Sequence, residues 1–214
     1  MLRVGMPDRF YPCHCCGFLT LSEPQSGSYE ICPVCFWEDD GVQNEDPAYA
    51  GGANRVSLLE ARSNYIRFGA CAKDAAGHVR PPTAAEFPAV PVLLGVEEER
   101  AAQIRRGMKV QILALIRAMR AGAVGIAVGS IRISPFVHWL EPDLEEALLS
   151  FVGIASEVDD VPIGSERELW NPDALAIKDR QLADYESRIR EQTLADCCAV
   201  EALLTADLIG SRSQ

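Results

Sequence analysis

The chain has 214 residues, 48% of them hydrophobic, which is enough for one or two domains with buried cores. No apolar run approaches the roughly eighteen residues of a membrane span, so we expect no membrane association. The net charge of −11 argues against a protein that binds nucleic acid, because such binding neutralises phosphates with Lys and Arg.

The charge is unevenly distributed along the chain. Residues 1–70 carry five basic and nine acidic side chains, a balance of −4, and residues 71–96 are neutral. Residues 97–140 carry seven basic and three acidic side chains, or +4, whereas residues 141–214 carry six and seventeen, or −11. The acidic C-terminal stretch predicts either a basic protein partner or an ordinary solvated surface.

Two pairs of cysteines stand out near the N-terminus. Cys13 and Cys16 are separated by two residues, as are Cys32 and Cys35, and fifteen residues lie between the pairs. A turn of this spacing directs two sulfurs at one ion, so two turns supply the tetrahedron that suits Zn²⁺. We therefore predict one structural Zn²⁺ bound by Cys13, Cys16, Cys32 and Cys35, with Cys15 left over.

Disulfides or a thioredoxin-like redox pair would use the same cysteines. The first ten residues lack the apolar core of a secretory signal, so we expect a cytoplasmic chain whose thiols stay reduced. In that compartment, paired turns of this spacing favour metal binding. Catalysis at the metal is disfavoured because four sulfurs leave no open coordination position.

Short strand and helix signals surround the cysteines. Residues 18–21 and 29–31 are rich in strand formers and flank a loop, which predicts a β-hairpin carrying both metal turns. Ser57 and Glu60 form a capping box that opens a helix, and Gly69 ends it. This N-terminal part is therefore predicted to be a zinc ribbon with one helix.

An acidic trio and a tryptophan follow the second cysteine pair. Glu38, Asp39 and Asp40 could cap turns, bind a second cation or meet a basic partner, and capping is the commonest role. Trp37 is expected to cover the metal site, with an exposed binding anchor as the alternative. All four are candidate partner-binding residues.

The stretches YPCHCCGFLTL, YEICPVCFWEDDGVQ and YAGGANRVSLLEARSNYIRFGA, within residues 11–70, resemble the bacterial cysteine-rich CPCC domain. The resemblance implies a zinc ribbon and no enzymatic activity. His14 stands where the family name implies proline, which leaves the four predicted ligands in place. Residues 79–83, VRPPT, also resemble the segment that commonly follows this domain, which implies packing on the ribbon.

The C-terminal part is predicted to be mainly helical. Apolar residues at three- and four-residue spacing predict a helix over residues 97–120. Asn171 followed by Pro172 starts another helix over residues 173–206, roughly 50 Å long, which must pack along the first. Residues 122–133 are ambiguous between helix and buried strand, and helix is favoured.

The fold class is thus α+β, with a ribbon over residues 1–70 and a helical domain over residues 96–214. The prolines of residues 71–95 predict an irregular connection between them. Cys197 and Cys198 are expected to pack in the core, and Cys71 is expected to be structural or idle, with no second metal site.

A second polar cluster is expected in a loop of the helical part. Glu157, Asp159 and Asp160 could act as acid and base or hold a cation. The structural alternative is that they cap the next helix and hold Arg132 or Arg167. That alternative is favoured because no nucleophile, phosphate cradle or His–carboxylate pair accompanies them in the sequence.

Three functions are compatible with these patterns. The leading hypothesis is a non-catalytic binding protein, namely a bacterial immunity protein that neutralises a basic cognate toxin. Residues 151–164 and Trp170 are loosely similar to bacterial proteins of immunity type, which supports that hypothesis. The alternatives are a metal-dependent or small-molecule-binding enzyme that uses Glu157, Asp159 and Asp160, and a zinc-ribbon adaptor in translation or transcription.

Overall fold

The computed structural model describes residues 10–24, 26–88 and 97–210. The chain divides into two compact units, Met1–Ala89 and Val90–Gln214. Within the described ranges, every helix is too short or too polar to cross a membrane.

The first unit has little regular structure. Its strands and helices are β1 (Tyr11–Pro12), β2 (Leu19–Leu21), α1 (Gly41–Glu45) and α2 (Leu58–Phe68), followed by 3₁₀ turns at Lys73–His78 and Ala84–Glu86. The two strands are antiparallel, with Tyr11 opposite Leu21 and Pro12 opposite Leu19. A hairpin this short cannot bury a core by itself.

The predicted pairing of residues 18–21 with residues 29–31 is wrong. The partner of β2 is β1, which lies before the first cysteine turn. Tyr29 has a φ of 59°, which interrupts an extended strand, and Ile31 forms only an isolated bridge with Glu38. Each cysteine turn therefore has its own short pairing.

Helix α2 begins and ends where its sequence predicts. The Ser57 hydroxyl accepts a hydrogen bond from the Glu60 N–H at 3.2 Å. Gly69 takes a left-handed conformation with φ 82°, and its N–H donates to the Tyr65 carbonyl. The face of α2 that carries Leu58 and Ile66 is buried.

The residues after α2 contact the cysteine turns. The Cys71 N–H donates to the Cys35 carbonyl at 2.6 Å, and the Arg80 N–H donates to the Pro33 carbonyl at 3.0 Å. The first unit thus extends past residue 70 into the stretch predicted as a connection. The end of that stretch, residues 89–95, lies outside the described residues.

The second unit is helical. It contains α3 (Glu98–Arg120), α4 (Ile126–Ile133), α5 (Pro142–Glu157) and α6 (Pro172–Gly210), with 3₁₀ turns at Ser134–Trp139 and Gly164–Leu169. The helices predicted over residues 97–120 and 173–206 are confirmed, and residues 126–133 are helical as favoured. The expectation that Glu157 lies in a loop is wrong, because α5 continues to that residue.

Helices α3 and α6 pack along one another, as we predicted from the length of the C-terminal helix. The buried positions of α6 recur every three or four residues: Thr193, Cys197, Val200, Leu204 and Leu208. Cys197 is part of this core, whereas Cys198 is exposed. The adjacent cysteines therefore have different environments, and the packing role predicted for Cys198 is wrong.

Ion pairs fix the register of α6 on α3. Arg117 and Arg120 both form ion pairs with Glu201. Burial alone would raise the pKa of Glu201, but these two cations leave that pKa lowered. Lys109 lies 2.9 Å from both Asp207 and Glu141. Part of the acidic charge of the C-terminal half is thus neutralised inside the unit.

Helix α4 approaches α3 as closely as a glycine allows. A Cβ atom placed on Gly129 would overlap the side chain of Met119, which is itself buried. By contrast, a Cβ on Gly153 of α5 would meet nothing.

We predict that Gly129→Ala lowers the free energy of unfolding by about 1–3 kcal/mol, because it overpacks the contact between α3 and α4. Gly153→Ala is the matched control and should be neutral or stabilising by up to about 1 kcal/mol. Urea denaturation followed by circular dichroism measures both. Equal effects of the two substitutions would contradict the close packing.

Candidate metal centre

The first cysteine pair lies on a tight turn closed by two backbone hydrogen bonds. The Cys13 N–H donates to the Phe18 carbonyl and the Gly17 N–H donates to the Cys13 carbonyl, both at 2.8 Å. Gly17 has a φ of 82°, which glycine adopts without strain. This conformation turns the chain back after Cys16.

The second pair repeats the same hydrogen bonds. The Cys32 N–H donates to the Trp37 carbonyl at 2.9 Å and the Phe36 N–H donates to the Cys32 carbonyl at 2.8 Å. Phe36 takes the place of the glycine and has a φ of 65°, a conformation that costs energy in a bulky residue. Its carbonyl accepts a hydrogen bond from the Cys71 thiol at 3.2 Å, which helps to hold the turn.

The two turns bring four buried sulfurs together. The Sγ atoms of Cys13, Cys16, Cys32 and Cys35 all lie within 4.8 Å of one another. Cys13 and Cys35 are 3.6 Å apart, and Cys16 and Cys32 are 3.7 Å apart. A tetrahedral ion with metal–sulfur bonds of about 2.3 Å places its sulfurs about 3.8 Å apart. The cluster therefore fits one metal ion.

The four thiols of the cluster can all ionise only if a cation balances the charge of the thiolates. Burial raises the pKa values of Cys16 and Cys35 well above their ordinary value. Hydrogen bonds from the neighbouring thiols, led by Cys13, lower the pKa of Cys32, which the Thr20 hydroxyl also contacts at 3.1 Å. Without a metal, several buried thiolates would repel one another at this separation.

The other cysteines of the first unit lie outside this cluster. Cys15 is buried, and that burial raises its pKa. Burial also raises the pKa of Cys71 to about 12, so its thiol stays protonated and can donate to Phe36. Neither cysteine belongs to the four-sulfur group.

Trp37 is not a surface residue. Its side chain is 1% exposed, and its indole N–H donates to the Asn44 side chain at 3.4 Å. The alternative of an exposed binding anchor is therefore wrong, and the packing interpretation agrees with the structure.

Asp39, one of the candidate partner-binding residues, is fully buried. Its Oδ2 accepts hydrogen bonds from the Gly27 N–H, the Ser28 N–H and the Ser28 hydroxyl, each at 2.9 Å, and its Oδ1 accepts from Asn44 at 2.7 Å. Burial alone would raise the pKa of Asp39, but these donors, led by Ser28, leave it lowered. Oδ1 also lies 3.2 Å from Nδ1 of His14.

Asp40 is buried as well, and it caps α1. Its Oδ1 accepts from the Val42 N–H at 2.8 Å, and its Oδ2 accepts from the Ala53 N–H at 2.7 Å. These backbone donors, led by Ala53, lower its pKa. The capping role is thus confirmed for Asp40, while Glu38 is half-buried and only its backbone joins the network.

Two amides that the sequence analysis did not single out complete this network. Gln43 donates to the carbonyls of Tyr49, Asn54 and Val56, and its own side-chain oxygen accepts from Asn54. Asn54 also bonds both backbone groups of Glu38. An isolated glutamine in a five-residue helix gives no sequence signal for this role, because its partners lie 6 to 13 residues away.

The C-terminal candidates have separate roles. Glu157 and Asp159 are exposed, whereas Asp160 pairs with Lys178. The expectation that these carboxylates hold Arg167 is wrong, because both guanidinium nitrogens of Arg167 bind Asp179, at 2.9 and 2.8 Å.

Residues 11–86 match the protein family described as Cysteine-rich CPCC. The match contains all four clustered cysteines and continues past α2 to Glu86, in the second 3₁₀ turn. No curated protein matches the chain. The family match leaves out the second unit, so it gives no support to the resemblance of that unit to immunity-type proteins.

We predict that Asp39→Asn destabilises the first unit by about 1–3 kcal/mol at pH 7, because an amide cannot accept all the donors around the carboxylate. The pKa of Asp39 is lowered on folding, so its contribution is present above the unfolded value of about 3.9. It is lost as the pH falls through the lower pKa of the folded state.

Denaturant titrations between pH 7 and pH 3 test this, with Glu45→Gln as the control. Glu45 is exposed and loses the same charge close by. The deficit of Asp39→Asn should shrink towards the acid end, and the control should show none. A deficit independent of pH, or one shared by Glu45→Gln, would contradict the role given to Asp39.

Proposed function

We propose that the first unit is a structural zinc module and that the whole chain acts by binding a protein partner. The observation that carries the first part is the buried cluster of four sulfurs, Cys13, Cys16, Cys32 and Cys35. Four cysteine ligands complete a tetrahedral shell and leave no position for substrate, as in structural zinc sites.

Zinc suits this unit because the unit contains little regular secondary structure. Its strands are two and three residues long, and the cysteine turns are separated by irregular chain. In small units of this kind, the free energy of metal binding is largely the free energy of folding. Zn²⁺ also adds no redox chemistry to the site.

The acidic C-terminal half supports the second part of the proposal. Residues 141–214 carry a balance of −11, and Glu157 and Asp159 are exposed there. Such a surface attracts a basic partner over long distances and accelerates association. We assign the contact to the second unit, since Trp37, Asp39 and Asp40 of the first unit are buried.

Within this proposal the biological role is that of a bacterial immunity protein. Toxins that attack nucleic acid need basic surfaces around their sites, because their substrates carry a phosphate at every nucleotide. An acidic protein that covers such a surface blocks the substrate without any catalysis of its own.

The metal is tested by elemental analysis of the purified protein, which should contain about one zinc per chain. Cys32→Ser should lose the metal and unfold the first unit, because one ligand and its charge are removed. Cys15→Ser, the matched control, should keep both. Metal-free protein that retains its fold, or metal lost equally in the two variants, would refute the module.

The partner is tested by co-purification from the native bacterium, followed by binding kinetics at low and high salt. Reversing Glu157 and Asp159 to lysine should slow association at least tenfold at low salt and weaken its salt dependence. Glu23 and Glu45, exposed residues of the first unit, are reversed as the control. Recovery of a bound small metabolite and no protein would contradict the proposal.

A further inference from the structure

A hollow of about 380 Å³ lies where α4 and α5 end. Its walls are largely apolar and include Ile131, Pro135, Val161 and Ile163. Two exposed carboxylates, Asp159 and Glu166, also line it. The volume is at the lower end of the range for small-ligand pockets, roughly 300–1,000 Å³, and is large enough to admit a side chain.

The hollow is negatively charged without compensation. Neither Asp159 nor Glu166 makes an ion pair with any residue in the described part of the chain, whereas their neighbour Asp160 is held by Lys178. Ala155 and Ser156, in the last turn of α5, line the hollow too. That turn has no basic residue, so the partial negative charge of its free carbonyls adds to the two carboxylates.

We propose that this hollow receives one arginine or lysine side chain of a basic protein partner. The aliphatic stem would lie on the apolar walls and the cation would meet the two carboxylates. Arginine suits the site better than lysine, because its fork of donors can bind more than one oxygen at a time. The inference rests on the proposed protein-binding function and names the contact that provides it.

Exposed apolar residues that follow Glu166 in the chain favour a protein over a free cation. Glu166 lies in the 3₁₀ turn Gly164–Leu169, in which side chains three residues apart share a face, so Leu169 lies on the same side as Glu166. Leu169 is 88% exposed and Trp170 is 39% exposed. Protein interfaces use such apolar and aromatic groups next to a charged contact.

The probe is a blocked tripeptide with a central arginine, compared with the same peptide carrying uncharged citrulline. Both are titrated into the isotope-labelled full-length protein and followed by amide chemical shifts. The arginine peptide should shift the amides of Ser156, Asp159 and Glu166 and bind at least tenfold more tightly than the citrulline peptide. Asp159→Asn combined with Glu166→Gln should abolish that difference.

The control variant combines Asp184→Asn with Glu191→Gln on α6, which removes the same number of charges elsewhere on the unit. This variant should bind the arginine peptide as the unmodified protein does. Equal binding of the two peptides, or equal loss in both double variants, would overturn the inference. A captured protein partner that binds the Asp159/Glu166 variant unchanged would also overturn it and leave the protein-binding function standing. If the arginine peptide binds in the hollow but no protein partner is recovered, the hollow is an arginine site and the proposed protein-binding function is contradicted.

Discussion

The approach of four cysteine sulfurs to within 4.8 Å of one another is the contact on which the first unit depends. Each pair is placed by a turn with its own two hydrogen bonds, and the second turn accepts the strain of a left-handed Phe36 to repeat the geometry of the first. Four buried thiols at this distance cannot all ionise alone. A bound cation would offset that electrostatic cost and stabilise a unit that has only five described residues in strands.

In this unit, buried side chains form the hydrogen bonds to backbone groups that a β-sheet would form in other proteins. Asp39 accepts hydrogen bonds from backbone N–H groups of the loop before the second cysteine turn. The side chains of Gln43 and Asn54 form hydrogen bonds with backbone groups of the irregular chain after that turn. Each buried backbone group needs such a partner, because leaving one unpaired costs about 1–3 kcal/mol. The acidic residues that follow the second cysteine turn, Asp39 and Asp40, therefore organise the chain around the cluster.

Patterns that depend on local spacing could be read from the sequence. Two CxxC pairs predicted the sulfur cluster, and helical periodicity with caps predicted α2, α3 and α6. Features set by distant partners could not be predicted in this way. Residues 29–31 have strand composition, yet Tyr29 takes a positive φ and Ile31 forms only an isolated bridge, with Glu38. Asp39 has the composition of a surface turn, and only its folded neighbours show that it is buried.

The most direct test of the account is X-ray absorption at the zinc edge of the purified full-length protein. The account predicts a single shell of four sulfurs at about 2.3 Å, the distance of a thiolate ligand. The matching distances among Cys13, Cys16, Cys32 and Cys35 leave no place for another ligand. A shell that contains nitrogen or oxygen in place of a sulfur, or zinc bound away from these cysteines, would contradict the central claim.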